Sequence, residues 1–197
     1  MTPGAGTPRQ GGIVGPVPAG ADADAYDRLR RRVLWSMPSG LYVLGTRAEG
    51  RRNLMTVNWA TQVALEPKLV ALSVEHGARS HELLEAGGVF ALSLLPRAER
   101  ALVRRFVKPV TEIDVDEHRG WGTMQGEPVM LAGTGSPVLA AAAAWLDCEV
   151  RQAVGLGSHT LFVGEVVDCA FGSAGAPPAG ERLEVLRMED TRMNYGG

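Results

Sequence analysis

The sequence predicts a mainly β fold with short helices, in which antiparallel strands with Greek-key-like connections form a closed or half-closed barrel. Three observations support this prediction. Short apolar runs with strand character recur along the 197 residues. Strand follows strand too often for a doubly wound parallel sheet. Near the end of the chain, two long alternating runs flank a glycine-containing turn, which is typical of a hairpin. The 45% hydrophobic content is sufficient for one core.

The N-terminal part of the chain predicts a leader and one helix. Residues 1–22 are rich in Gly and Pro and lack an apolar run, so we expect a disordered leader, followed by a single domain over residues 23–197. Apolar residues from Tyr26 to Met37 have helical spacing, and Asp22 or Asp24 can cap the helix. The arginines of this helix mostly lie off its apolar face, which favours a solvated surface over a nucleic-acid site.

From Leu41 to residue 76 the pattern predicts three strands separated by two turns. The second strand, residues 54–65, reads "LMTVNWATQVAL". A period of two places large apolar residues on one side and small or polar residues on the other. Two interpretations remain open: an antiparallel strand with one face in water, or a strand lying flat against a bound ligand.

The middle of the chain predicts two helices around a central strand. A short helix is expected from Ser80, its N-cap, to a left-handed stop at Gly87 or Gly88. Residues 89–96 are apolar on both faces and predict a central strand. Residues 97–107 have a helical spacing of apolar residues that includes Phe106. Residues 111–127 show no clear period and predict a long surface excursion of the kind that is often functional.

The last part predicts paired strands. The alanine-rich segment 138–150 is interpreted as a strand, although five consecutive alanines favour a helix. Residues 144–154 and 160–171 flank the turn "GLGSH" and predict a hairpin with Gly155 and Gly157 in the turn. Trp121 and Trp145 are expected to be core or interface aromatics.

Charge and cysteine content limit the function classes. The net charge of −2 offers no general attraction for nucleic acid or an anionic membrane, so small molecules or other protein chains are the expected partners. With two cysteines and no export signal, we expect a cytoplasmic protein in which Cys148 and Cys169 are thiols that act as small buried hydrophobes. The four histidines lack the spacing of a metal site, so no metal is expected.

Four segments together resemble the flavin reductase family, whose members are FMN-binding split β-barrels. The resemblance runs from about Val33 to the C-terminus and rests on the order and spacing of the four segments. They are "NLMTVNWATQVALEP", "VALSVEHGARSHELLEAGGVFALSLLP", "SPVLAAAAAWLDCEV" and "GSHTLFVGEVVD".

The resemblance implies that FMN lies along residues 56–63, where small residues let a flat ring approach the main chain. It places the phosphate on "HGARSH", with Arg79 as a two-pronged partner and the Ser80 hydroxyl and free helix amides as neutral donors. From the residues alone, the favoured interpretation is that Ser80 is an ordinary cap and Arg79 a surface charge. The complete implied flavin-binding set is Thr56, Asn58, Trp59, Ala60, Thr61, Gln62, Val63, His76, Ala78, Arg79, Ser80, His81 and Phe106.

The resemblance also implies a role for His159 as proton donor or nicotinamide contact. Ser158 precedes it where the family more often has an acid, and a lone turn histidine is more often simply exposed. The implied activity is an NAD(P)H-dependent flavin reductase, with NADH or NADPH as co-substrate, that supplies reduced FMN to a partner monooxygenase or other acceptor. A homodimer is implied as well. The alternatives are a flavoredoxin-like FMN electron carrier and a split-barrel interaction module without flavin.

Overall fold

The computed structural model describes residues 16–191 and residue 193. Most of the predicted leader, residues 1–15, lies outside the described residues. Helix α1, Ala23–Leu34, belongs to a compact unit of its own, and the Asp22 carboxylate caps it by accepting from the Ala25 amide at 2.7 Å. The capping prediction is therefore confirmed. None of the α1 residues is buried.

The second compact unit begins at Ser39 and contains all the described strands. Eleven strands form two antiparallel sheets, which confirms the predicted mainly β architecture. The larger sheet has the order β2-β1-β5-β10-β11-β4-β3, which places β5 centrally, as predicted. Its strands are β1 Tyr42–Ala48, β2 Arg51–Val57, β3 Ala60–Ala64, β4 Leu69–Glu75, β5 Val89–Leu94, β10 Ala144–Gly155 and β11 His159–Phe171.

The smaller sheet contradicts the prediction of a long surface excursion at residues 111–127. It has the order β6-β7-β8-β9, with β6 Ile113–Asp116, β7 Trp121–Met124, β8 Glu127–Leu131 and β9 Pro137–Leu139. The turns contain Gly120 and Gly126 at φ values of 72° and 74°, which glycine adopts readily. These strands have only three to five residues, which is too short for a period of two to be visible. Trp121 is 56% exposed, whereas Trp145 is buried.

The segment 54–65 is not one strand. Strand β2 ends at Val57 and β3 begins at Ala60, and the two strands lie at opposite edges of the larger sheet. No backbone pairing joins these two edges in the described part of the chain, so the sheet is a barrel that is split between them. The expected alternation of faces also fails, because Thr56 and Val57 are both buried and Val63 is exposed.

Two short helices pack within this unit. Helix α2 spans Arg79–Gly87 and ends at Gly88 in the left-handed conformation, as predicted. Its N-cap is Ala78, so the prediction that Ser80 caps the helix is wrong; Ser80 lies in the first turn and is fully buried. Helix α3, Leu102–Arg105, is a single turn and shorter than predicted. No helix in residues 16–191 is long and apolar enough to cross a membrane.

The alanine run forms a turn and not the interior of a strand. Strand β9 ends at Leu139, and the Ala142 amide donates back to the Leu139 carbonyl at 3.0 Å before β10 begins at Ala144. The β10–β11 hairpin is confirmed, with Gly157 at φ 75° in its turn, whereas Gly155 is the last paired residue of β10 and not a turn residue as predicted. Both cysteines are free thiols, but Cys169 is exposed, so only Cys148 fits the predicted buried role.

The main core lies between α2 and the larger sheet. Leu84 of α2 packs in one cluster with fully buried side chains that include Leu72, Phe90 and Phe162. Burial of such a side chain stabilises the fold by about 1.5–3 kcal/mol. This apolar cluster explains why α2 stays on the sheet, but it does not fix the rotation of the helix.

A buried polar cluster around Asn53 fixes the rotation of α2 on the sheet. The Asn53 Nδ2 group donates to Ser80 Oγ at 2.9 Å, and its Oδ1 accepts from the Val110 amide at 2.9 Å. Thr46 Oγ1 adds a longer bond of 3.3 Å to the same Ser80 hydroxyl. One amide on β2 thereby connects α2 with the segment that follows α3.

We expect Asn53→Ala to destabilise the protein by about 2–4 kcal/mol, because it leaves the buried Val110 amide without its partner and the Ser80 hydroxyl with only its longer bond from Thr46. Urea unfolding measures this loss. The matched control is Gln152→Ala, at an exposed amide side chain on β10, which should change stability by no more than about 0.5 kcal/mol. Equal effects of the two substitutions would contradict the role assigned to Asn53.

Candidate functional site

Three distant parts of the sequence meet at one end of the larger sheet. The Trp59 carbonyl accepts from the Ser73 amide at 2.9 Å, and His159 is paired with Glu75 in the register of β4 and β11. The rings of Trp59 and His159 lie 5.0 Å apart and are tilted by 54°. We call the group formed by Trp59, His76, His81, His159 and Thr160 the sheet-end cluster.

His159 lies in this cluster as a partly buried side chain. Its Nδ1 is 2.8 Å from the Ser158 hydroxyl, which stands where the family more often has an acid. Burial lowers the pKa of His159, and nearby His76 and His81 act in the same direction, whereas Glu75 opposes them. His159 is therefore better suited to a neutral hydrogen-bonding contact than to a charged proton donor at neutral pH.

The other two histidines of the cluster share one hydroxyl. Thr160 Oγ1 lies 3.0 Å from His76 Nε2 and 2.8 Å from His81 Nε2. On its other side, His81 Nδ1 is 3.4 Å from a Glu85 carboxylate oxygen. Sequence reasoning included both histidines but missed Thr160 and Glu85, because neither the spacing nor the residue type indicates such a contact.

The start of α2 offers donors for an anion. No side chain caps the helix at Ala78, so the first-turn amides are not satisfied by a capping side chain. The adjacent Arg79 uses Nη1 for the Val110 carbonyl at 3.2 Å, which orients a guanidinium that has five N–H donors. These groups fit a phosphate. The Ser80 hydroxyl does not contribute, because it is fully buried against Asn53.

A largely apolar cavity of about 390 Å³ lies against β3. Ala60, Thr61 and Gln62 line it, and all three belong to the implied flavin-binding set. Such a surface suits the apolar area of a ring system, with few polar groups to orient it. The cavity is also lined by Tyr42, Lys68, Leu69, Val70, Leu92, Leu94, Leu146, Val166 and Cys169.

The remaining residues of the implied set lie elsewhere. Thr56 and Phe106 are buried, and the Thr56 hydroxyl donates to the Val103 carbonyl at 2.5 Å. Neither residue lines the cavity, and Val63 is 52% exposed on β3. Asn58 is partly exposed in the junction between β2 and β3. A flavin contact by these four residues stays a prediction.

Acidic, histidine and cysteine side chains do not gather into a metal site within the described ranges, since no group of three or more of them could hold an ion.

We expect Trp59→Ala to raise the pKa of His159 towards its ordinary value, because burial is the largest cause of the lowered pKa. Titration of the His159 ring by NMR measures this change. In the unsubstituted protein, acidification from the ordinary pKa down to the lowered one should destabilise the fold, since the unfolded chain takes up the proton first. Trp121→Ala removes an equally large exposed ring on β7 and should leave His159 unchanged; an unchanged pKa in the Trp59 variant would contradict the packing described.

Comparison with known proteins identifies the family. The model of the flavin reductase like domain matches residues 34–186. The chain is 34% identical over 148 residues to the NADH-dependent flavin reductase StyB of Pseudomonas fluorescens, which covers 75% of this chain and 80% of that protein. It is 33% identical over 145 residues to an NADH-dependent FAD reductase of Streptomyces globisporus, covering 73% and 76% of the two chains.

Solved structures agree with this relationship. The styrene monooxygenase flavin reductase of Pseudomonas putida S12 matches with a TM-score of 0.59 and 32% identity, over 74% of this chain and 87% of that chain. The NADH:FAD oxidoreductase SgcE6 of Streptomyces globisporus matches with a TM-score of 0.62 and 29% identity, over 81% and 90%. With an open antiparallel barrel and a family match that covers most of its length, the chain belongs to the flavin reductase like domain family.

Proposed function

We propose that this protein is an NAD(P)H-dependent flavin reductase that transfers a hydride to FMN and passes the reduced flavin to a partner oxygenase or another acceptor. The observation that carries the proposal is the convergence of the Asn58–Trp59 junction, the uncapped start of α2 and the His159 turn at one end of the sheet. The two relatives from Pseudomonas fluorescens and Streptomyces globisporus are NADH-dependent, which supports a nicotinamide as reductant.

The chain's own residues have a limited task in this reaction. When bound, a flavin supplies the hydride acceptor, so the protein need only bind and orient the two ligands. Arg79 and the first-turn amides of α2 would hold the phosphate, and Ala60 leaves room for a ring against β3. The exposed ring of Trp59 and the neutral imidazole of His159 provide flat surfaces and a hydrogen bond for the nicotinamide.

Two further features of the proposal concern partners. A homodimer is supported by β3, an edge strand with one side unpaired, and by the exposed apolar residues Val63 on this strand and Leu65 directly after it, at 52% and 75%. A partner monooxygenase is supported by the similarity to the flavin reductase of a styrene monooxygenase. The proposed flavin is FMN, although FAD presents the same ribityl phosphate and one relative is named an FAD reductase.

The activity is tested by an absorbance spectrum of the purified protein with added FMN, followed by NADH and NADPH. We expect micromolar or tighter flavin binding, and nicotinamide oxidation that increases with the concentration of free FMN. Flavin binding without nicotinamide oxidation would favour the electron carrier over the reductase. If the protein does not bind FMN, the interaction module is the only one of the three hypotheses that remains.

Arg79→Ala is expected to weaken FMN binding by roughly tenfold or more, because it removes charge-assisted hydrogen bonds to the phosphate. Riboflavin lacks the phosphate and should bind the variant and the unsubstituted protein alike. Fluorescence titration measures both affinities. Arg51→Ala, at an exposed arginine at the start of β2, serves as the charge-matched control. Equal losses of affinity for FMN and riboflavin would show that Arg79 does not bind the phosphate.

A further inference from the structure

We propose that Thr160 carries a proton between His81 and His76, and that His81 together with Glu85 stores this proton for the reaction at the sheet-end cluster. The proposal rests on the flavin reductase function, because the overall reduction of a flavin by a nicotinamide takes up one proton with each hydride. Thr160, His81 and Glu85 would act through His76.

The contacts form a continuous chain from a buried position to the surface. Thr160 and His81 are buried, with 7% and 6% of their surface exposed, and their Oγ1 and Nε2 atoms are 2.8 Å apart. The His76 ring contacts the same hydroxyl at 3.0 Å and is itself exposed. At the other end, the Glu85 side chain is 62% exposed. The two Thr160 contacts have hydrogen-bonding distances, and the His81–Glu85 contact of 3.4 Å has the distance of an ion pair when His81 is protonated.

The carboxylate sets the direction of the hydrogen bonds. A carboxylate oxygen of Glu85 lies 3.4 Å from His81 Nδ1 and can only accept, so the proposal places the hydrogen of His81 on Nδ1. In neutral His81 the Nε2 atom is then an acceptor, and the Thr160 hydroxyl donates to it. The hydroxyl has no second proton to donate, so it accepts from His76 Nε2–H. This leaves His76 Nδ1 as the free acceptor of the chain.

A proton taken up at His76 Nδ1 while the site is open can therefore move inwards. His76 gives its Nε2 proton to Thr160, and Thr160 gives its own proton to His81 Nε2. The positive charge then rests on His81, next to Glu85, where the carboxylate stabilises it. The cluster has gained one proton. The His76 Nε2–H bond and the original Thr160 O–H bond have broken, and a new Thr160 O–H bond and a His81 Nε2–H bond have formed.

Delivery reverses these steps once ligands cover the site. The His81 Nε2–H bond breaks as Thr160 receives that proton, Thr160 gives its own to His76 Nε2, and His76 would release the proton on Nδ1 to the flavin that has accepted the hydride. The cluster returns to its neutral state with one proton fewer. A stored proton avoids the need for water in a covered site.

The place of His76 beside the candidate site supports this role. Its amide donates to the Ser158 carbonyl at 2.9 Å, which connects it directly to the turn that contains His159. The rings of His76 and His81 meet edge to face at 4.9 Å, and Phe162 closes the other side of His81 at 5.5 Å. Burial lowers the pKa of His159 and disfavours its charged form, so His159 is poorly suited to store the proton.

The order of hydrogen bonds is tested first in the protein without added flavin. In protein labelled with ¹⁵N-histidine, at about pH 8 and hence above the ordinary histidine pKa of about 6.5, long-range NMR correlations identify which ring nitrogen carries the hydrogen. We expect Nε2–H for His76 and Nδ1–H for His81. Thr160→Val should remove the preference of His76 for carrying its hydrogen on Nε2, and Thr160→Ser should keep this preference. A bare Nδ1 on His81 would overturn the proposal.

The function of the chain is tested by anaerobic stopped-flow mixing of the FMN-loaded protein with NADH in a weak buffer that contains a pH indicator. Flavin bleaching reports hydride transfer, and the dye reports proton uptake. We expect Thr160→Val to slow proton uptake by roughly tenfold or more while bleaching stays near the unsubstituted rate. Thr160→Ser should restore proton uptake, because it supplies the hydroxyl without the methyl group.

Glu85→Gln provides a second variant at an exposed position on α2, where the fold tolerates the change. It removes the counter-charge of the stored proton and should slow proton uptake in the same direction. Bleaching with unaltered proton uptake in both variants would overturn the relay alone. An unsubstituted protein that does not bleach FMN would overturn the proposed function, and with it the use of the relay.

Discussion

The buried amide of Asn53 is the interaction on which the rest of the site depends. It bonds to the Ser80 hydroxyl on α2 and to the Val110 amide, and all three groups are shielded from water. A buried polar group that loses its partner is costly, so this arrangement allows one position of α2 on the sheet. Arg79 at the start of α2 also donates to the Val110 carbonyl, and His81 and Glu85 are carried on the same helix.

The split in the barrel determines what can meet at the site. The chain leaves β2 at Val57 and enters β3 at Ala60 on the opposite edge of the sheet, so Asn58 and Trp59 span the opening. An opening without strand pairing exposes main-chain groups and rings that a closed barrel would cover. Strand β4 ends and strand β11 begins at this opening, which is why His159 lies beside Trp59.

Electrostatics divides the titratable groups into structural and functional ones. Burial raises the pKa of the Cys148 thiol to about 12, so this cysteine packs as an apolar side chain. Burial also raises the pKa of Asp147, whose carboxylate accepts two bonds of 2.7 Å from Thr134 and so holds the turn before β9 against β10. These two groups support the fold, whereas at the sheet end burial lowers the pKa of His159, which lies beside Trp59.

The sequence by itself determined the antiparallel class, the β10–β11 hairpin, the central position of β5 and the family resemblance, because alternation and glycine turns are local signals. It also indicated the segments of the site, including Arg79 and His159. The tertiary structure alone decided the break at Asn58, the burial of Ser80 and the contact of Thr160 with two histidines. These depend on which strands become neighbours, and a residue's local pattern carries no information about partners that are distant in the chain.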